Sequence, residues 1–533
     1  MAAPLEEHNL WVGGANKQGT GEPILVENPA TGENFALCDS ASAEDVDHAV
    51  RIAHDVFKAG TWSRAPRQTR AEVLEEAARL LTAALPELIA LEVRQTGRTI
   101  REMQAQVPSL VRWFRYYAAL LRTEERPVFP TAGQLHNWAD RLPLGVVVLT
   151  TPFNHPLLIA VKKLAPALAA GNSVVLKPSE LTPLSSIRLA ALLQEAGLPA
   201  GVFSVLPGPG AVTAAALAAH PLVRSVDITG GTNAGRALGA LAGRNLARFN
   251  AELGGKAPVV VFADADLPAA INGVAFGAFV ASGQTCVAAT RIVVEQKAYQ
   301  QVVEGLQAKA AFIAAHMGDP ANPASAMGPL VSAKQRKHVT ALVQDALESQ
   351  LAVAVAGGSV DALPATSVLD GFSLAKGYFY PPTILVSAPG AHEPSIVRTR
   401  IWREEAFGPV IIVVPFADGD EEAALRLAND SEFGLGAALW TQDLSRAFRV
   451  SQRVDAGIVW VNTHHRNDPS SPWGAASTSA AGGGASGVGS ENGLEAYHAY
   501  TMPKSTIINY ARMDEARASD DWFNDGGAAV RYG

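Results

Sequence analysis

From Gly145 onward, short runs of β-branched residues alternate with longer stretches of helical periodicity. The predicted strands are Val146–Thr150, Ser173–Lys177, Val202–Leu206, Ser225–Thr229 and Val259–Phe262. The predicted helices between them include Leu157–Ala170, Ser185–Glu195, Ala211–Ala219 and Asn233–Ala242. Strands that alternate with helices predict a parallel sheet covered on both faces. Ligands of such sheets bind beyond the carboxyl ends of the strands, so we expect a site at that edge.

Two other regions extend this pattern. Helical periodicity from Arg70 to Leu91 predicts one amphipathic helix before the first strand. A second α/β region is predicted to begin with a helix from Leu267 to Ser282, a turn at Gly283 and strands at Arg291–Glu295 and Val410–Pro415. The 533 residues are enough for two or three domains with separate cores.

Charge and cysteine usage exclude several classes of protein. The formal net charge is −8 and no long Lys/Arg run occurs, which disfavours a nucleic-acid or anionic-membrane partner. No uninterrupted apolar stretch has the ~18 residues of a membrane span, and the first residues do not resemble a signal peptide. We therefore expect a cytoplasmic protein. Its two cysteines, Cys38 and Cys286, form no CxxC pattern, so no metal site is predicted.

Four sequence motifs follow one another in a characteristic order. They are PLGVVVLTTPFNHPLLIAVKKLAPALAAGNSVVLKPSELTP at 143–183, ITGGTNAG at 228–235 followed by ELGGKAPVVV at 252–261, GQTCVAATR at 283–291, and EEAFGPV at 404–410. With these four in register, the sequence closely resembles the aldehyde dehydrogenase superfamily. The resemblance extends from NPATGE at 28–33 to YTMPKS at 500–505, nearly the whole chain.

The resemblance implies an α/β fold with three parts and a tail. A Rossmann-like parallel-sheet NAD-binding domain is expected from residues 1–121 and 144–253, and a second α/β catalytic domain with Cys286 from residues 254–485. Residues 122–143 and 486–510 would form a small β oligomerisation flap, followed by a tail at 511–533. The resemblance further implies a homodimer or homotetramer, a small-molecule aldehyde substrate, and NAD as the cofactor with NADP as the alternative.

Cys286 is the predicted nucleophile. A thiolate that adds to an aldehyde gives a thiohemiacetal oxyanion, which can expel hydride and leave a thioester. Cys286 follows a glycine-containing turn, where a thiol could lie open to a tunnel, whereas Cys38 reads as a small buried apolar residue. The rival enzyme class is a cysteine hydrolase that pairs Cys286 with His464 or His465. A non-catalytic structural recruit of the same fold is a third alternative.

Three further residues match catalytic positions of the family. Asn154 and the Cys286 backbone N–H are the natural oxyanion donors, although Asn154 could instead cap the helix near Leu157. Glu252, in ELGGK, matches the general base that activates water for thioester hydrolysis. The coenzyme-A-acylating branch typically lacks this Glu, so the hydrolytic branch is expected. Lys163 matches a family lysine near the active site.

The predicted cofactor residues lie at strand ends and turns. Lys177 and Glu180 resemble the adenosine-ribose binders, and a carboxylate at Glu180 would favour NAD over a 2′-phosphate. A glycine-rich turn entering a helix would bring backbone N–H groups near pyrophosphate; it contains Gly230, Gly231 and Gly235. The nicotinamide ribose and ring would be held by Glu405 and Phe407, with Thr229 and Leu253 lining the pocket.

The predicted substrate entrance is unusually polar. Phe153 and His155 replace the usual Trp and Phe beside Asn154, and the alignment brings several polar residues to the entrance, namely His155, Lys162, Arg466 and Asn467. Phe153 and Trp473 could stack on a ring. We therefore expect an aromatic aldehyde or one with a polar or anionic group. The alternative is that these polar side chains point into solvent.

One segment departs from the family's usual PFGGxKxSGxGRExG pattern. Between Trp473 and Glu491 the loop is about seven residues longer than expected by alignment, and its stretch AASTSAAGGG at 475–484 cannot build a core. The usual Lys is absent, and Ser490 replaces the usual Arg. The departure puts in question the subunit contacts of this loop rather than the chemistry.

Overall fold

A computed structural model describes residues 4–389, 394–476, 484–520 and 523 of the chain. Its strands are β1 Glu6–His8, β2 Leu10–Val12, β3 Ala15–Lys17, β4 Ile24–Asn28, β5 Glu33–Cys38, β6 Val128–Phe129, β7 Leu135–Pro143, β8 Val146–Thr150, β9 Ser173–Lys177, β10 Phe203–Val205, β11 Val223–Thr229, β12 Arg248–Glu252, β13 Pro258–Val261, β14 Arg291–Glu295, β15 Ala352–Ala356, β16 Thr383–Ser387, β17 Val410–Phe416, β18 Gly436–Trp440, β19 Ile458–Val461, β20 Gly487–Val488 and β21 Thr501–Asn509. Its α-helices are α1 Ala43–Ala59, α2 Arg67–Ala83, α3 Leu85–Thr96, α4 Ile100–Gln106, α5 Val111–Thr123, α6 Pro156–Ala170, α7 Leu184–Glu195, α8 Ala215–Ala219, α9 Thr232–Arg244, α10 Leu267–Phe279, α11 Gln296–Ala315, α12 Ala333–Glu348, α13 Arg400–Arg403, α14 Glu421–Asn429, α15 Leu444–Ser451, α16 Gly493–Ala499 and α17 Met513–Asp520.

The first large sheet has eight strands in the order β20-β12-β11-β8-β9-β10-β2-β3. From β12 to β10 all neighbouring strands are parallel. In β8, Val147 and Leu149 face one core while Val146 and Val148 face another. Because side chains alternate across a strand, a run that is apolar at every position is buried on both faces. This confirms the parallel sheet predicted from the alternating pattern.

The second large sheet has seven strands in the order β15-β16-β17-β14-β13-β18-β19. All neighbouring pairs are parallel except β15 with β16. β13 belongs here, so the strand predicted at Val259–Phe262 is not part of the same sheet as the four strands predicted before it. Its residues again alternate between two apolar cores. The two sheets together confirm the predicted α/β fold class.

A smaller antiparallel sheet has the order β21-β7-β6. β21 and β7 pair along their whole length, from Thr501 opposite Pro143 to Asn509 opposite Leu135. Both strands lie in the segments expected to form the flap. Within 486–510, however, the pairing begins only at Thr501, because Gly487–Val488 is an edge strand of the eight-stranded sheet and α16 follows it.

Two predicted helices end earlier than expected. The helix predicted from Arg70 to Leu91 is two helices, α2 and α3, separated at Ala84. Pro86 lacks the backbone N–H that a helix interior requires, and it fits the first turn of α3 instead. The helix predicted to reach Ser282 ends at Phe279 and continues as a 3-10 turn, Val280–Gly283. The segment predicted at Ala211–Ala219 begins as a π-helical turn, Gly210–Ala214, before α8.

Among the described residues, no helix has the length and apolarity needed to cross a bilayer. They also contain no group of three or more His, Cys, Asp or Glu residues arranged to hold a metal ion. Most of the atypical loop, residues 477–483, lies outside the described residues, and so does the tail beyond Asp520 except Phe523.

Candidate active site

Cys286 follows a tight turn at the end of α10. Ala281 and Ser282 have φ values of 53° and 55°, an uncommon conformation for residues with a Cβ. Gly283, at φ 70°, approaches the Gly408 carbonyl so closely that a Cβ would lie 2.2 Å from its oxygen. These three residues turn the chain against the EEAFGPV segment. Cys286, three residues after Gly283, remains partly exposed.

The two glycines of ELGGK allow this turn and β12 to meet. A Cβ on Gly255 would lie 1.8 Å from the Cys286 carbonyl oxygen. A Cβ on Gly254 would lie 2.5 Å from Oε2 of Glu405. Only residues without a side chain fit at such distances. The motif therefore brings Glu252, Glu405 and Cys286 together through backbone contacts.

Asn154 lies directly before α6, and its side chain points to the cysteine turn. Nδ2 donates a hydrogen bond of 2.7 Å to the carbonyl of Gln284. The N-cap of α6 is His155, which makes no capping hydrogen bond with its side chain. The alternative that Asn154 caps this helix is therefore wrong. Since an amide NH₂ has two protons, one remains to donate near Cys286.

Glu252 is the last residue of β12 and is only 2% exposed. Within the described chain, neither of its carboxylate oxygens has a hydrogen-bond partner. Burial, followed by the negative charge of Glu491, raises the pKa of Glu252 well above its usual range. This carboxyl group therefore keeps its proton to a higher pH than an ordinary glutamate does.

The thiol of Cys286 is also held in its neutral form. Burial raises the pKa of Cys286 to about 12, and the charges of Glu252 and Glu405 act in the same direction. Because the thiolate is the nucleophile, a base must remove this proton when the thiol attacks. Neither His464 nor His465 is hydrogen-bonded to Cys286 in the described part of the chain, so the geometry of a cysteine hydrolase is missing there.

A cluster of buried charges lies next to Glu252. The Glu491 carboxylate accepts from Lys162 Nζ at 2.7 Å and from Lys163 Nζ at 2.5 Å. Lys163 also pairs with Asp227, which accepts a hydrogen bond of 2.5 Å from the Tyr500 hydroxyl. Lys163, expected near the active site, is thus an ion-pair partner whose pKa rises despite the opposing effect of burial.

The predicted adenosine and pyrophosphate residues lie at the carboxyl ends of strands β9 and β11 of the eight-stranded sheet. Lys177 ends β9, and its Nζ contacts Oε2 of Glu180 at 3.0 Å. Gly231 is the N-cap of α9, and a Cβ there would have no heavy atom within 4 Å. Gly235 serves packing instead, because a Cβ would lie 2.5 Å from Leu253. The Gly230 N–H donates to the backbone of the neighbouring strand β12.

Of the predicted nicotinamide residues, Glu405 contacts Gly255. Oε1 of Glu405 accepts a hydrogen bond of 2.9 Å from the Gly255 N–H, and burial raises the pKa of Glu405 to about 7. Phe407 has a φ of 51°, and its ring meets that of Phe153 edge-to-face at 5.6 Å. The Thr229 hydroxyl donates to Glu491 at 3.3 Å rather than standing alone in a pocket.

Histidines lie on both sides of the cysteine turn. Arg98 Nη1 donates to His155 Nδ1 at 2.6 Å, so the neutral His155 ring carries its proton on Nε2. His465 Nε2 is 3.0 Å from the hydroxyl of Thr285, the residue before Cys286. Burial lowers the pKa of His464 to about 4, and burial holds those of His155 and His465 well below their usual range. These imidazoles are therefore neutral hydrogen-bonding groups.

The other predicted entrance residues are more dispersed. Arg466 is exposed, and no ion pair to it occurs among the described residues. Asn467 accepts a hydrogen bond from Asn492 at 2.9 Å. Lys162 is buried under the Trp473 ring, with Nζ 4.5 Å from the ring centroid. Lys162 and Asn467 therefore have protein partners, whereas Arg466 has room for an external one.

Sequence reasoning missed four members of the site: Arg98, Asp227, Glu491 and Tyr500. Asp227 could have been found, because it is the one charged residue in the apolar run VDIT of β11. Glu491 occupies the Glu position of the family's GRExG pattern, which was a second available signal. Nothing local marks Arg98 or Tyr500, since their partners are distant in the chain.

Comparison with known proteins establishes the family. The family model described as "Aldehyde dehydrogenase family" matches residues 15–506. The chain belongs to this family. The match confirms the predicted resemblance and the predicted enzyme class, an NAD(P)-dependent aldehyde dehydrogenase.

Among its relatives is the phenylacetaldehyde dehydrogenase of Pseudomonas fluorescens, 37% identical over 94% of this chain and 96% of the relative. Another is the (Z)-2-((N-methylformamido)methylene)-5-hydroxybutyrolactone dehydrogenase of Acinetobacter baylyi. It is 35% identical over 97% of this chain and 99% of the relative. The crystal structure of PnpE in complex with nicotinamide adenine dinucleotide is similar at a TM-score of 0.87 and 37% identity, covering 95% of this chain and 98% of that chain.

Proposed function

We propose that this aldehyde dehydrogenase oxidises an aldehyde to the carboxylic acid with NAD⁺ through a thioester on Cys286. The observation that carries the proposal is the contact of three motifs around one thiol. Asn154 bonds the carbonyl two residues before Cys286, and Gly255 packs on the carbonyl of Cys286 itself. Glu252, three residues before Gly255, is buried, and its carboxylate oxygens have no hydrogen-bond partner among the described residues.

Acylation begins when the Cys286 thiol releases its proton to solvent and its Sγ adds to the aldehyde carbon. The carbonyl oxygen becomes an oxyanion that accepts hydrogen bonds from Asn154 Nδ2 and the Cys286 backbone N–H. The oxyanion collapses as the aldehyde hydrogen leaves with its electron pair, and the thioester remains. The donors act in a buried site, where hydrogen bonds to charge are strongest.

Deacylation consumes one water molecule. Glu252 removes a proton from the water as its oxygen attacks the thioester carbon, and the Cys286 sulfur departs when the tetrahedral oxyanion collapses. The carboxylic acid product is released, and the proton held by Glu252 passes to the departing sulfur, which regenerates the thiol and the free base. The same donors stabilise both oxyanions, because the oxygen occupies the same position in each step.

The residues present fit a dinucleotide. Gly231 leaves open space at the N-terminus of the 13-residue helix α9, where backbone N–H groups favour phosphate. Lys177 and Glu180 at the end of β9 would bind the adenosine ribose, and Glu405 would hold the nicotinamide ribose. When bound, NAD⁺ accepts the hydride. These positions support assigning residues 1–121 and 144–253 to cofactor binding and 254–485 to catalysis.

The substrate we propose is an aromatic aldehyde or one with a second polar group. Phe276, ten residues before Cys286, is 55% exposed and contacts the His465 ring edge-to-face, which supports an aromatic face at the entrance. Neutral His155 and His465 can exchange hydrogen bonds with a polar substituent. The exposed Arg466 could pair with a distal carboxylate, a contact worth roughly 1.5–3 kcal/mol.

A second copy of the chain is the proposed partner. Exposed apolar side chains lie along the strand β21 of the flap, including Ile507 and Ile508 at 59% and 49% exposure. An edge strand with apolar side chains is a typical surface for pairing between subunits. We therefore propose a homodimer or homotetramer, which light scattering would separate from a 55.8 kDa monomer.

The mechanism is tested with an aldehyde panel and the variant Glu252→Gln. Wild-type enzyme should form NADH with an aldehyde and NAD⁺. Glu252→Gln should slow hydrolysis more than hydride transfer, so a burst of NADH precedes a slow steady state. Cys286→Ala should form no NADH yet still bind NAD⁺. Near-normal turnover by Cys286→Ala would exclude the covalent mechanism.

The substrate class is tested with a carboxylated aldehyde and its uncharged amide analogue. Arg466→Ala should lower kcat/KM for the carboxylated aldehyde by about ten- to a hundredfold more than for the amide. Arg244→Ala, at the end of α9, is the matched control and should change neither value. Equal losses on both substrates in Arg466→Ala would contradict the ion pair.

A further inference from the structure

Lys162 and Lys163 are adjacent residues of α6, and both are buried, at 2% and 1% exposure. Lysines are almost never fully buried unless they are paired, because removing an ammonium group from water costs several kcal/mol. Two neighbours buried together therefore need a large compensating negative charge. Sequence alignment expected only Lys163 near the site and assigned Lys162 to the substrate entrance.

The two lysines have different partners. Lys163 contacts two carboxylates, those of Asp227 and Glu491. Lys162 contacts one carboxylate oxygen, Oε2 of Glu491 at 2.7 Å, and lies under the Trp473 ring at 4.5 Å. An ammonium group over an indole face is stabilised by the ring quadrupole. Lys162 is thus enclosed between Glu491 and Trp473.

Backbone pairing holds this enclosure in place. The Trp473 N–H donates to the Glu491 carbonyl at 2.8 Å, and the Glu491 N–H donates to the Trp473 carbonyl at 2.6 Å. The two residues flank the atypical loop, so Lys162 contacts both sides of its base. The Glu491 carboxylate is therefore fixed at two points, by its backbone and by two ammonium groups.

The charges of the cluster do not balance if every group is ionised. Three carboxyl groups face two ammonium groups: Glu252 on β12, Asp227 on β11 and Glu491 before α16 face Lys162 and Lys163 on α6. The Tyr500 hydroxyl donates to Asp227, and the charge of Glu252 acts on the Cys286 thiol. Asp227 and Glu491 have the direct contacts. Glu252 has none among the described residues, so it is the group that gains or loses the proton.

We propose that Lys162 is a positioning residue for water activation: its ammonium group holds the Glu491 carboxylate in place and offsets the negative charge beside Glu252, so that Glu252 can lose its proton. The proposal rests on the proposed function, in which Glu252 is the general base. Lys162 acts by its contact with Glu491 and by the positive charge that it places near Glu252. It does not bind the substrate, which reassigns it from the expected entrance.

The direction of each pKa supports this arrangement. Burial raises the pKa of Glu491, yet the charges of Lys162 and Lys163 bring it down to about 2. Burial and Glu491 raise the pKa of Glu252, while Lys162 and Lys163 lower it. A base works only after losing its proton, so kcat falls as the pH falls through its pKa. Removing Lys162 raises that pKa and moves the fall to higher pH.

The test is the pH profile of kcat in Lys162→Met, which keeps the length of the side chain and removes its charge. The midpoint of the acidic limb should move upward by about one pH unit or more, the usual effect of losing a close opposite charge. At neutral pH kcat should fall about tenfold, with an NADH burst because hydride transfer precedes the affected step. Activity should recover at alkaline pH. Lys297→Met, whose side chain is 73% exposed, is the control and should leave the profile unchanged.

Lys162→Arg keeps the charge and should keep the midpoint within about half a pH unit of wild type. If Lys162→Met does not fold, Lys162→Gln replaces it. An unshifted midpoint, or an equal loss of kcat at every pH, would overturn the proposal. The same shift in Lys162→Arg would also overturn it, because charge would then not be the cause. Failure of the proposed function would be seen separately, as no NADH in wild type or no burst in Glu252→Gln.

Discussion

The contact between Gly255 and Cys286 leads to a sharp prediction for Gly255→Ala. The new Cβ would lie 1.8 Å from the Cys286 carbonyl oxygen, and the carbon of that carbonyl would be only 3.0 Å away. Both neighbouring atoms belong to the backbone, so no side-chain rotation relieves the contact. Contacts to a Cβ shorter than 3.0 Å essentially never occur, so the turn with Cys286 must move by at least about 1.2 Å.

A shift of this size should affect catalysis more than stability. Overpacking by one methyl group typically costs about 1–3 kcal/mol of unfolding free energy, which a chain of this size can tolerate. Misplacing a nucleophile by about 1 Å can cost about a hundredfold in rate, because the reacting atoms no longer meet in line with the oxyanion donors. We expect kcat/KM to fall by about a hundredfold or more while the protein remains folded.

The assay measures kcat/KM by NADH absorbance, together with the melting temperature and the rate at which a thiol reagent alkylates Cys286. The matched control is Gly243→Ala in α9, where a Cβ would have no heavy atom within 4 Å. That variant should keep full activity and gain slightly in stability, by about 0.5–1 kcal/mol. A kcat/KM of Gly255→Ala within threefold of wild type would refute the argument from this contact.

Three further predictions follow from single groups. Asn154→Ala should lower kcat by on the order of a hundredfold, the usual effect of one oxyanion donor, and a loss below about threefold in steady-state assays would count against that role. Glu180→Gln should raise the ratio of kcat/KM with NADP to kcat/KM with NAD by about tenfold, because the carboxylate that repels a 2′-phosphate is removed. A wild-type enzyme that prefers NADP would contradict this. Because the pKa of Glu252 is raised, the acidic fall of wild-type kcat should lie at a higher pH than that of an ordinary glutamate, whereas a flat profile would mean that Glu252 is not the base.

About half of the strands of the two large sheets could be predicted from the sequence, and some of them closely. β8, β9 and β14 begin and end at the predicted residues. Each is a short apolar run bounded by polar or turn residues, and burial on both faces leaves its composition little freedom. The composition of a strand does not indicate which of the two sheets it joins. β13 follows β12 after only a few residues, yet it pairs with β14 and β18 instead.

The proposed catalytic residues could likewise be selected from short segments, because the chemistry needs particular side chains there. A thiol, an amide and a carboxyl group were predicted at Cys286, Asn154 and Glu252. Their protonation could not be predicted, since it depends on contacts from remote parts of the chain. Tyr500 and Asp227 are 273 residues apart, and the carbonyl that Asn154 bonds is 130 residues away.

Lys162 shows most clearly what could not be predicted from the sequence. Its position beside Lys163 was visible in the sequence, and alignment alone suggested a substrate contact. The tertiary structure buries its side chain between Glu491 and Trp473, and from helix α6 its charge acts on Glu252 of strand β12. The sequence determined which groups are available to the reaction. Folding decided their charges, because burial and close opposite charges act only once distant segments have met.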